Sequence, residues 1–194
     1  MKKTITTLAA VLCCALAFTA CDKNQLNNGG EDPDPSGNGD DTIVVDQAVV
    51  AYRFQTTEAL LQYFDFTFEY IESTTGAKRS EKITVTDFKK EISGAKLPLN
   101  MGYKLTTTLK AGKTIEQVRA LDKIDYILPS PSCWIYMYDK NGKQVGEGGR
   151  RVSVSGSVTQ SGERVAKRFE EGSFNKSYFE SVDATGSGTT GTWK

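Results

Sequence analysis

The chain contains no histidine. That absence removes the commonest general base and the commonest metal ligand. It excludes a Ser-His-Asp or Cys-His mechanism within these 194 residues. Cysteine is scarce as well, with four in all, and three of them (Cys13, Cys14 and Cys21) fall in the first 21 residues. Cys133 stands alone in the rest, with no imidazole to activate it, and reads as a small buried hydrophobe. Neither sign of charge dominates: 24 basic side chains face 24 acidic ones, and no basic face is clustered enough for a nucleic-acid footprint. No apolar run reaches the roughly 20 residues of a spanning helix.

An address is present at the N-terminus. Lys2 and Lys3 precede an apolar core from Ile5 to Phe18, and small residues follow, which is the layout of an export signal. Its end, Phe18-Thr19-Ala20-Cys21, resembles a bacterial lipobox, with Phe18 where an aliphatic residue is usual. In that family the cut falls before the cysteine, and its sulfur carries a diacylglycerol. The resemblance implies that residues 1–20 are a lipoprotein signal peptide and that Cys21 is lipidated, with the membrane as its partner. The competing reading is an ordinary signal cleaved after Ala20, which leaves Cys21 a free thiol. Each buried CH₂ contributes roughly 0.8 kcal/mol and one chain holds only marginally. Two or three acyl chains on Cys21 would make the attachment effectively permanent.

A tether is expected next, over residues 21–41. Asp22 to Asp41 carries six acids against Lys23 and one large apolar residue, Leu26. It cannot bury enough surface to offset its ordering entropy and reads as a disordered acidic linker. Such a chain spans about 25 Å on average. Acids near a lipidated cysteine resemble the surface-export signals of Bacteroidetes lipoproteins. That likeness implies a lipid anchor in the outer membrane, with the outer face favoured over the periplasmic one. Asp41-Thr42-Ile43 resembles the short O-glycosylation acceptor motif of the same group, which implies modification at Thr42.

Residues 42–194 read as a single β domain, long enough to bury a core without disulfides. Phe64, Phe66, Phe68 and Tyr70 alternate with Asp65, Thr67 and Glu69, the mark of a strand with one buried side. Met101, Tyr103, Leu105, Thr107 and Leu109 repeat the pattern. Thr114-x-x-Gln117 resembles a capping box, so a helical turn is possible there. Asn141-Gly142 signals a type I′ hairpin turn. Val152, Val154 and Val158 look like its return strand, residues 162–171 like a short surface helix, and the tail from about 184 like a frayed end. About seven to eight strands with one short helix point to an all-β fold, an antiparallel β-sandwich immunoglobulin-like in architecture. A barrel is the alternative.

Tyr63–Tyr70, Thr75-Gly76 and the run from Lys96 through Pro98 and Gly102 look like small lipoproteins of unknown function from gut Bacteroidetes. The resemblance implies a tethered sandwich and supplies no catalytic residues. Trp134, Tyr136 and Tyr138 share one face of a strand, where they form an aromatic platform for a sugar ring or a protein, unless that strand is buried on both sides. Arg150 and Arg151 place positive charge near one hairpin end and complete the possible ligand contacts. Asp65 and Glu69 lie roughly 13 Å apart along a strand, too far for the paired carboxylates of an inverting glycosidase. No metal ligands and no cofactor motif stand out. The expectation is a membrane-anchored lipoprotein with a non-catalytic binding module for a glycan or protein and no affinity for nucleic acid. The alternative is a structural subunit of a pilus or envelope complex.

Overall fold

Alternating polarity decides the long strands, and the computed structural model follows it through residues 44–145, 150–151 and 156–194, with the backbone alone described at 150 and 151. In chain order the elements are β1 (Gln47–Gln55), α1 (Glu58–Leu61), β2 (Phe64–Glu72), β3 (Ala77–Ile83), β4 (Asp87–Ala95), β5 (Leu99–Leu109) and α2 (Ile115–Arg119). They continue with β6 (Ile124–Tyr126), β7 (Ser132–Tyr138), β8 (Arg150–Arg151), β9 (Val158–Gln160), α3 (Gly162–Glu170), β10 (Lys176–Val182) and β11 (Gly188–Gly191).

The described residues form an antiparallel β-sandwich, as expected. One sheet has the order β4-β1-β7-β8 and the other β11-β10-β5-β2-β3. A third, two-stranded sheet pairs β6 with β9. The inner face of β1 supplies Ala48, Val50, Tyr52 and Phe54, and that of β2 supplies Phe64, Phe66, Phe68 and Tyr70, all buried. Full burial of each such side chain is worth roughly 1.5–3 kcal/mol. The rings also meet edge-on or tilted: Phe54 lies 5.3 Å from Phe66, and Phe68 lies 5.2 Å from Phe88. The Tyr52 hydroxyl crosses the core from one sheet to the other. It donates to the Ile71 carbonyl at 2.9 Å and accepts from the Gly102 amide at 3.3 Å.

Several local expectations need correction. Three helices are present among the described residues, where one short helix and a helical turn at Thr114 were expected. Thr57 starts α1 by accepting from the Leu60 amide at 3.1 Å, and Thr114 and Gln117 form the capping box that starts α2. The helix α3 is not confined to the surface, because Val165 and Ala166 are buried and Phe169 packs 4.9 Å from Phe64. Arg119 ties α2 to α3 through Glu163 and Glu170, both at 2.7 Å.

At the β7 hairpin the Gly142 amide donates to the Asp139 carbonyl, so the turn centres on Lys140-Asn141 rather than Asn141-Gly142. Gly142, at φ +76°, is the left-handed residue that follows the turn, as in a three-residue hairpin with a bulge. Val158 pairs with Tyr126 of β6, not with β7, and is exposed. Val152 and Val154 lie outside the described residues. The tail is not frayed from residue 184. Asp183 Oδ1 accepts from the amides of Thr185 and Ser187 at 2.8 and 3.0 Å and closes a turn, and β11 then pairs with β10 from Val182↔Gly188 to Phe179↔Gly191. Glycine there answers a close approach: a Cβ on Gly188 would stand 1.6 Å from the Glu180 carboxylate.

Candidate functional site

Strand β7 is apolar on both faces, and the parity of its burial separates them. Cys133, Ile135 and Met137 are buried in the core, while Trp134, Tyr136 and Tyr138 alternate with them on the outer face and are half-buried. The strand is central, between β1 and β8, but its outer face is not a second core. Ala51 of β1 is the cross-strand partner of Trp134, Val49 of Tyr136 and Gln47 of Tyr138. Ala51 and Val49 are too short to rise over an indole or phenol ring. Successive same-face residues lie roughly 6.6 Å apart along a strand, so the three rings form a strip about 13 Å long.

Charged residues take register positions beside the strip. Glu91 of β4 pairs with Ala51, and Arg150 of β8 pairs with Trp134. One row across the sheet therefore reads Glu91, Ala51, Trp134, Arg150. Arg151 takes the register position beside Cys133, one residue along, so the two arginines do not share a face. Their side chains lie outside the described residues. Below this row, Arg53 holds Asp87 through two contacts of 2.7 and 2.9 Å, and Lys89 adds a third at 3.0 Å. The Arg53 guanidinium holds the Asp87 carboxyl below its ordinary range, against a smaller opposing effect of burial. At the hairpin beyond Tyr138, Asp139 Oδ1 accepts from the Asn141 and Lys143 amides at 2.8 and 2.9 Å. Those backbone bonds, the Lys143 amide first, lower its pKa and fix the loop next to the strip.

The two acids weighed for catalysis are each engaged with a lysine. Asp65 pairs with Lys82 at 3.1 Å and Glu69 with Lys104 at 3.6 Å. Cys133 is buried, as expected. No group of three or more His, Cys, Asp or Glu suited to a metal occurs among the described residues. Cys21 and Thr42 lie outside the described residues.

The sequence reading missed a second concavity, on the outer face of the other sheet. A pocket of about 370 Å³ is lined by Ile71, Lys78, Phe179 and the tail residues Gly191 to Lys194. Its one sequence signal was Ile71, an apolar residue on the otherwise polar face of β2, which is buried.

The class defined by this geometry is an antiparallel β-sandwich that presents an aromatic strip on one outer face. No family model, no curated protein and no solved structure matches the chain.

Proposed function

We propose that the protein is a lipoprotein held in the outer membrane through acylated Cys21, with its sandwich serving as a non-catalytic binding module on the outer face of the cell. Its ligand is a glycan or a protein surface, taken up on the strip of Trp134, Tyr136 and Tyr138. Arg150, at the register position beside Trp134, contributes charge from the adjoining strand, whereas Arg151 takes the position beside the core-facing Cys133. The observation that carries this reading is the parity of β7, whose three large aromatic residues point away from the core. An aromatic side chain on a sheet surface offers a rigid apolar contact at low entropic cost. In this reading Thr42, at the start of the domain, is a glycosylation site, and neither a cofactor nor nucleic acid is involved.

A structural subunit is the second reading, and it draws on a different strand. The edge strand β3 carries Lys78, Arg79, Glu81 and Lys82, whereas the edge strand β11 is an exposed, uncharged Gly-Thr-Thr-Gly. Uncharged edges are where another chain adds by strand pairing.

The test has two stages. Intact cells are shaved with protease and probed for the domain, beside a Cys21→Ala control. Loss of the domain from wild-type cells, and its release from the membrane fraction in the control, supports the surface lipoprotein. Protection of a membrane-bound domain overturns the outer-face assignment. Glycan and host-protein arrays are then run with wild type and Trp134→Ala. A ligand bound by wild type and lost in a folded Trp134→Ala protein supports the strip as the site. Equal binding by both removes it.

A further inference from the structure

On the outer face of the five-stranded sheet one row runs Lys78, Ile71, Gly102, Phe179, Gly191. The pairings Ile71↔Lys78, Phe179↔Gly102 and Phe179↔Gly191 set three of its steps, and Gly102 lies beside Ile71 one residue past the end of the β2–β5 ladder. Isoleucine and phenylalanine rise on either side of Gly102, a position with no side chain. That dip is built in, because a Cβ on Gly102 would stand 2.4 Å from the Tyr178 carbonyl. Past β11 the chain brings Thr192, Trp193 and Lys194 to the same cavity, whose volume is about 370 Å³. Its large walls are apolar: Ile71 is buried, and Phe179 and Trp193 are half-buried.

The charge at the rim is already answered within the chain. The Lys78 ammonium donates to a main-chain oxygen of Lys194, the last residue of the sequence, and so closes an ion pair there. It also sits 5.0 Å from the centre of the Trp193 ring, which holds that ring against the cavity. Lys194 itself is exposed. A charged ligand would therefore find Lys78 occupied, and taking an unpaired ion between apolar walls is costly. Water fares little better, since a buried water needs two to four polar partners.

We propose that this cavity binds a small uncharged aromatic molecule of one or two rings, seated between Ile71, Phe179 and Trp193. Size supports the assignment. An apolar cavity of about 150 Å³ lined by similar side chains stays dry and takes up benzene. This one has more than twice that volume and lies on an outer face, so a hydroxyl or ring N–H on the ligand can stay in water. The walls support it as well, because Phe179 and Trp193 offer a third ring the offset or edge-on contacts that aromatic groups prefer. The site is on the opposite sheet from the aromatic strip and does not depend on it.

The full chain carrying Cys21→Ala, free of detergent, is titrated with the uncharged probes indole and benzyl alcohol and with the ions benzoate and benzylammonium. Binding is followed by ligand-observed saturation-transfer NMR. The expected result is saturable binding of indole with a Kd on the order of 1 mM, and of each ion at least about tenfold more weakly. The indole N–H resonance of Trp193, identified by its absence from Trp193→Ala, should shift in step with occupancy. Trp193→Ala, checked for a native amide spectrum, should bind indole about tenfold more weakly. No saturable binding of indole or benzyl alcohol overturns the proposal. So does an ion that binds as tightly as the uncharged probes, a Trp193 resonance that stays still, or a folded Trp193→Ala protein that binds as wild type does.

Discussion

The Tyr52 hydroxyl sits at the point where β2 and β5 part. The paired register of these strands ends at Tyr70↔Tyr103, and the next carbonyl on one side, Ile71, and the next amide on the other, Gly102, both bond to Tyr52 instead of to each other. A side chain from the facing sheet thus replaces a rung of the ladder. Burial pushes its hydroxyl well above the ordinary tyrosine pKa. Tyr52→Phe would keep the ring packing and leave two buried backbone groups unpaired. The expected cost is about 1–3 kcal/mol, read as a shift of the urea midpoint at unchanged slope. Amide exchange at Gly102 should rise in the same variant. An unshifted midpoint would show that water takes over both bonds.

The parity of β7 predicts a contrast between neighbours. Ile135→Ala removes a side chain only 3% exposed and should cost about 2–5 kcal/mol. Tyr136→Ala, on the outer face, should cost clearly less and spare the fold. Thermal and urea denaturation of the two variants side by side check this. Equal costs would mean that the outer face is as tightly packed as the inner one.

Asp87 ties stability to acid pH. Its folded pKa is depressed, chiefly by Arg53, so the stability it contributes is present above its unfolded pKa of about 4 and is lost as pH falls through the folded value. Arg53→Met should move the Asp87 carboxyl back up toward its ordinary range, as read by NMR titration of the side-chain carboxyl carbon. It should also shift the onset of acid unfolding to higher pH. A carboxyl that titrates identically in both proteins would remove Arg53 as the cause.

Cys133 has no exposed surface. In the native chain it should resist iodoacetamide, and in urea it should react at the rate of an ordinary thiol. Mass spectrometry of the alkylated protein gives the answer. Rapid native labelling would mean that β7 opens locally.

The long strands were legible because their chemistry repeats every second residue. Phe64 to Tyr70 and Met101 to Leu109 announce a face, and the pattern survives folding unchanged. Thr114 and Gln117 were legible for a different reason, since a capping box needs only three residues of sequence separation. Short elements ordered from outside were not. No local signal in Gly188–Gly191 marks a strand; pairing with β10 and the turn around Asp183 create it. Val158 carries the strand signal, but its partner Tyr126 is 32 residues away in the sequence. The aromatic strip was half legible. Its residues were visible, but whether they faced core or solvent depended on what covers the outer face of β1 and β7. The pocket behind Trp193 was hidden because it joins β2, β3 and β10 with the last residues of the chain.

Strand β1 begins at Gln47 and is central in its sheet, laddered to β4 on one side and β7 on the other. With the anchor proposed at Cys21, any drag on the domain enters through that strand. Peeling β1 away would require both ladders to break together, and with them the crossing bond from Tyr52 and the ring contacts of Phe54. An edge strand in the same place would unzip one rung at a time. Under the proposed anchoring, a pull on the N-terminal end therefore meets two ladders rather than one.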